Sequence, residues 1–106
     1  MIYLSGRLDV DNLNHYRSQF LQAEEYLKKD VTLYQDTDVL SLYKQLSSID
    51  DLSELSMSDE IDMRLQNVMI CDKLYLLQGW ELDDMCKFEY TYAKAKGKKI
   101  IYSRKY

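Results

Sequence analysis

Residues 71–89 read CDKLYLLQGWELDDMCKFE, and the change of pattern inside this stretch decides the fold. Asp72 to Leu77 is a Leu/Tyr-rich apolar run of the kind a buried strand carries. Gly79 ends it, because a glycine lets the backbone turn sharply or pass close to a ligand. The acidic group Glu81, Asp83 and Asp84 then suits the positive N-terminus of a helix. The spacing therefore predicts strand, tight turn, helix. In an open α/β sheet ligands bind beside the loops that leave the carboxyl ends of the strands, which places Gln78 to Asp84 next to any site. Glu89, in the second turn of the new helix, is expected to point back toward that loop.

Ile2 to Ser5 is a short apolar strand that stops at Gly6, and Asp9, Asp11 or Asn12 caps the next helix. Leu13, Tyr16, Phe20, Ala23 and Leu27 recur at spacings of three and four, one face of a long helix closed by Lys28, Lys29 and Asp30. Val31 to Gln35 is expected as the second strand. Asp38 then caps a short helix through Val39, Leu42, Tyr43 and Leu46, and Ser47 to Ser56 forms a polar loop, either a lid over the site or a plain surface loop. Ser58, Asp59 and Glu60 start a helix whose Ile61, Leu65, Val68 and Met69 face the core. After Gly79 the helix from about Asp83 to Lys96 turns Phe88, Tyr92 and Ala95 inward and stops at Gly97. Lys98 to Ser103 is the last strand. Four strands separated by helices, with no proline and no hairpin dipeptide, predict a small Rossmann-like or flavodoxin-like α/β domain. Its sheet is four-stranded and mainly parallel, in the order 2-1-3-4, with helices on both faces. In that order the loops at Gly6 to Asp11 and Gln78 to Asp84 open a crevice at the switch point.

CDKLYLLQGWE with Glu89 eight residues later resembles the signature of the DUF4406 family, small and often phage-encoded relatives of nucleoside 2-deoxyribosyltransferases. MIYLSG resembles that family's first strand and loop, and GKKIIY its last strand. The resemblance implies one deoxyribosyltransferase-like domain over residues 1–106, with a variable insertion at about residues 36–57. It also implies that Glu89 stands where those enzymes keep the carboxylate that attacks the anomeric carbon of the sugar. The chain departs from the family pattern at Asp83, where a serine is usual, at Met85 and Cys86, in place of a Gly-Ala pair, and at Arg7, in place of a proline. Met85 narrows the approach of a sugar ring to Glu89, Asp83 adds a second negative charge, and Arg7 offsets that charge or binds a phosphate. The alternative for Glu89 is a surface glutamate paired with Lys87 or Lys96. Trp80 likewise has two readings, stacking on a base or packing against a helix or subunit.

Composition bounds the rest. The chain has 106 residues and a formal net charge of −4, which argues against a nucleic-acid or anionic-membrane binder. The C-terminal lysines read as a solvated helix end and an edge strand. Cys71 and Cys86 lack zinc spacing, and His15, the single histidine, supplies no cluster. No metal and no cofactor is expected. No apolar run reaches the length of a membrane span, and Met1 leads directly into a strand, so the expected setting is the cytoplasm, which the resemblance implies is that of a bacterial or phage-infected cell. The resemblance implies binding, or sequestration, of a nucleotide or ADP-ribose-like molecule by a degenerate site formed by Gly6, Arg7, Gly79, Trp80, Asp83 and Glu89, and the family's frequent phage context implies an anti-defence role. The alternatives are an N-glycoside hydrolase or deoxyribosyltransferase with Glu89 as nucleophile, and a structural or regulatory interaction module. A homo-oligomer is expected, because so small a sheet leaves apolar surface to cover.

Overall fold

The computed structural model describes residues 1–8, 13–29, 39–46 and 56–103. Strand β1 (Ile2–Ser5) is buried along its whole length, so both of its faces must be covered. Ile2 and Leu4 pack with Phe20, Ala23 and Leu27 of α1 (Leu13–Lys29) on one side. Tyr3 points the other way, toward Val68 of α3 (Met57–Ile70) and Ala93 of α4 (Asp84–Ala95). Strand β3 (Lys73–Leu76) alternates in the same sense, with Tyr75 on the α1 side and Leu74 and Leu76 on the other. Helices therefore lie on both faces of the sheet.

The sheet runs β2-β1-β3-β4, with β2 at Val39–Ser41 and β4 at Lys99–Tyr102. Each neighbouring pair is parallel, with Ile2 opposite both Val39 and Lys73, and Lys73 opposite Lys99. The predicted order and direction hold, and the all-parallel sheet puts every βα loop on one rim. Among the described residues β4 is an edge strand, and its exposed Lys99 suits that position.

Several local expectations are corrected. Val39 belongs to a strand, not to a helix, because Val39 and Leu40 pair with Ile2 and Tyr3 of β1. The short helix α2 starts only at Leu42 and runs to Leu46, with the Ser41 hydroxyl accepting from the Lys44 amide at 3.2 Å in the manner of a cap. The cap of α3 is Ser56 rather than Ser58, its side chain accepting from the Asp59 amide at 3.0 Å. The inward faces of α3 and α4 are also shifted. Arg64, Asn67 and Val68 are buried on α3, while Met69 is 55% exposed. Cys86, Glu89 and Ala93 are buried on α4, while Phe88 is 43% exposed and Ala95 is exposed. Polar groups that bond one another displace apolar groups from the sheet side of both helices.

The expected caps at Asp9, Asp11, Asn12 and Asp38, the strand at Val31 to Gln35, the loop from Ser47 to residue 55, and the side chains of Leu13, His15 and Tyr16 lie outside the described residues. Among the described residues no helix is long and apolar enough to cross a membrane, and no group of three or more His, Cys, Asp or Glu side chains is placed to hold a metal ion.

Candidate functional site

The two glycine turns leave the same rim. Ser5 pairs with Leu76 at the ends of β1 and β3, and the Leu77 amide donates to the Ser5 carbonyl at 2.9 Å. Gly6 comes directly after Ser5. It is a glycine for reasons of space, since a Cβ there would stand 2.6 Å from Leu77 Cδ1 and 2.8 Å from Phe20 Cζ. Gly79 is a glycine for reasons of conformation, with φ of 85° in the left-handed region and open space around it. Its carbonyl accepts from the Leu82 amide at 3.0 Å, and Trp80–Leu82 forms one 3-10 turn before α4 begins.

Between the ends of β3 and β4 this turn borders a hollow of about 410 Å³, lined by Leu76, Gln78, Gly79, Trp80, Glu81, Tyr102 and Ser103. The Trp80 ring is half-buried, 4.8 Å from the ring of Tyr90 and 6.2 Å from that of Tyr102. An aromatic wall beside exposed polar groups suits a planar ring bearing polar substituents.

Glu89 lies elsewhere, beneath β1. Its carboxyl is fully buried and accepts from the Tyr3 hydroxyl, from the Ser5 hydroxyl at 2.8 Å and from Arg64 Nη1 at 2.6 Å. Arg64, 1% exposed, also donates from Nη2 to the Gly6 carbonyl at 3.1 Å. Its Nε has no hydrogen bond among the described residues, with Glu60 Oε2 at 3.8 Å. Asn67 bonds to Tyr3 and exchanges reciprocal amide bonds with Gln45 at 2.8 and 3.0 Å. The result is a continuous buried polar network joining α2, α3, α4 and β1 to the first turn of the rim.

Burial dominates its electrostatics. Desolvation pushes the Glu89 carboxyl up to about 7, against the opposing pull of Arg64 and of the hydrogen bonds from Tyr3, Ser5 and Arg64. Burial works to lower Arg64, but the fields of Glu89, Tyr3, Cys86 and Glu60 together raise it. Tyr3 is raised well above its usual range by burial and then by Glu89. Burial also raises the Cys86 thiol, as do its hydrogen bond to Asp83 and the charges of Asp83 and Glu89. Chemically, burial raises the proton affinity of the Glu89 carboxyl toward neutral pH, and the network presents no open face of that carboxyl to a substrate.

A family model described as a domain of unknown function, DUF4406, matches residues 1–102. The chain belongs to that family. No curated protein and no solved structure matches it.

In this DUF4406 domain the residues singled out from the sequence fall into two groups. Gly79 and Trp80 border the hollow, and Asp83 stands at the start of α4 with a buried Oδ2 that has no hydrogen bond among the described residues. Gly6 and Glu89 meet Arg64 in the buried network, and Arg7 is exposed just beyond Gly6. Among the described residues no hydrogen bond or ring contact joins Trp80 to Glu89. The surface pairing considered for Glu89 does not occur, since Lys87 pairs with Asp84 at 3.1 Å and Lys96 stands over the Tyr92 ring at 5.6 Å.

Arg64, Tyr3, Ser5 and Asn67 belong to the network around Glu89, and motif reading does not single them out. Arg64 carries a readable signal, because it comes three residues after Ile61 and four before Val68, a charge on an inward helix position. Tyr3 and Ser5 share one face of β1 by simple alternation.

Proposed function

We propose that this DUF4406 domain binds a nucleotide- or nucleoside-type small molecule at the carboxyl rim of its sheet, with a planar ring against Trp80. The observation that carries the reading is the hollow at the ends of β3 and β4, walled by Trp80 and Tyr102. It lies on the rim where open parallel sheets take their ligands, and its size is that of a small-molecule pocket. Binding without turnover is favoured because Glu89 has no exposed surface and both carboxyl oxygens are engaged. A nucleophile must come within about 3 to 3.5 Å of the anomeric carbon. On the same reading the degenerate deoxyribosyltransferase-like site sequesters a nucleotide or ADP-ribose-like signal in the cytoplasm of a phage-infected bacterial cell, as an anti-defence protein.

A second reading, N-glycoside hydrolysis or deoxyribosyl transfer by Glu89, is supported by a carboxyl whose affinity for protons is tuned to about 7 beside two hydroxyls. One experiment separates the readings. The protein is incubated with nucleosides, nucleotides, NAD and cyclic ADP-ribose isomers, and the mixture is analysed by mass spectrometry before and after heat denaturation. Sequestration is expected to return an intact ligand only after denaturation, with Trp80→Ala weakening retention at least about tenfold. Cleaved products that disappear in Glu89→Gln would replace it with the enzyme. Neither retention nor cleavage would leave an interaction module.

A further inference from the structure

The outer side of α3 and α4 carries apolar groups that the described residues leave uncovered. Leu65 and Met69 of α3 lie half-buried and exposed, and Phe88 and Tyr92 of α4 stand with their rings 6.5 Å apart. Met69 and Tyr92 share a groove of about 290 Å³ with Lys96 and Lys98, and Lys98 donates to the Met69 carbonyl at 3.0 Å.

Both helices begin at the carboxyl rim and end at the opposite one, so the face is acidic at one end and basic at the other. Asp59, Asp62 and Asp84 are exposed near the helix starts, Asp84 with Lys87 of its own helix at 3.1 Å, and Lys96 is exposed at the end of α4 with Lys98 beside it. Along α4 the residues Asp84, Phe88, Tyr92 and Lys96 recur every four, which makes them one ridge of the helix. That ridge reads acid, aromatic, aromatic, base. It is complementary to itself when reversed, and a single antiparallel register satisfies both kinds of contact. Asp84 then meets Lys96 of a second copy while Phe88 meets Tyr92. A two-fold axis running along the helices would instead set the acidic ends together.

We infer that the α3/α4 face is the contact surface of a two-fold dimer of this chain, with the Asp84–Phe88–Tyr92–Lys96 ridge of one copy packed antiparallel on that of the other. Such an interface is isologous, and closes at two subunits. Its apolar centre and charged ends match the usual division between a dry core and a polar rim. The partner is a second copy because the charge order of the ridge matches its own reverse.

Sedimentation velocity over a range of protein concentrations tests the assignment, with circular dichroism to confirm that each variant is folded. The wild-type protein is expected to sediment as a dimer, and Phe88→Glu as a folded monomer. Asp84→Lys alone and Lys96→Glu alone are each expected to weaken the dimer by about tenfold. The double variant Asp84→Lys/Lys96→Glu is expected to recover most of the affinity, because its reversed ridge is again self-complementary. A wild-type monomer at every concentration, a dimer indifferent to Phe88→Glu, or a double variant no tighter than the single ones would each overturn the inference.

Discussion

At the scale of single residues, the network around Glu89 makes stability depend on pH in a definite direction. The folded carboxyl holds its proton up to about 7, whereas an unfolded glutamate releases it near its ordinary value of 4.5. Between those two points the folded state binds more protons, so its stability falls as pH rises. The contribution is fully present below the lower value and lost through the upper one, on the order of 3 kcal/mol. Urea denaturation from pH 4.5 to 8 is expected to show that decline, and Glu89→Gln to flatten it. Arg64 gives a second reading of the same network. Arg64→Met leaves a buried carboxylate without its cation, which costs about 3–5 kcal/mol where Glu89 is ionised. The loss is expected to be large at pH 8 and smaller at pH 5, where the carboxyl is protonated. An equal loss at both values would mean that the arginine acts through packing alone.

At the scale of elements, the two rim glycines are expected to fail for different reasons. Gly79→Ala meets no neighbour but must keep a φ of 85°, so it costs about 1–2 kcal/mol, and Gly79→Asn less. Gly6→Ala drives a methyl into Leu77 and Phe20, an overpacking of about 1–3 kcal/mol that Asn would worsen. Denaturation midpoints of the four variants check the distinction. Elements are legible in the sequence where periodicity and punctuation agree, as in α1, in β3 with Gly79, and in α4 ending near Gly97, whose φ is 72°. They are not legible at β2, where Val39–Ser41 is only three residues long and gains its strand character from pairing with β1. Helix faces mislead for a related reason. Apolar spacing places Phe88 and Met69 inward, but Arg64 and Glu89 hold the sheet side through bonds to each other and to β1, which no single helix displays. The site is legible to the same extent. Gly6 and Gly79 can be located as rim turns, but that Trp80 lines the hollow while Glu89 turns to Tyr3, Ser5 and Arg64 emerges only with the packing of α4.

For the molecule as a whole, the parallel sheet sets the polarity of everything attached to it. Helices α3 and α4 run side by side in one direction, with Asp59, Asp62 and Asp84 near the rim holding the hollow and Lys96 and Lys98 near the far rim. The inferred dimer would turn each acidic end onto a basic one and leave the β3/β4 hollow of each copy free. Its end contacts are exposed charges, so raising ionic strength is expected to weaken association several-fold in sedimentation runs, while the aromatic centre persists. The chain has one tryptophan among ten tyrosines, and that indole sits against Tyr90 and Tyr102 on the loop bordering the hollow. Its fluorescence, excited at the red edge where tyrosine is silent, reports on that loop alone. The native protein thus carries an unlabelled optical probe at the place where occupancy would be felt first.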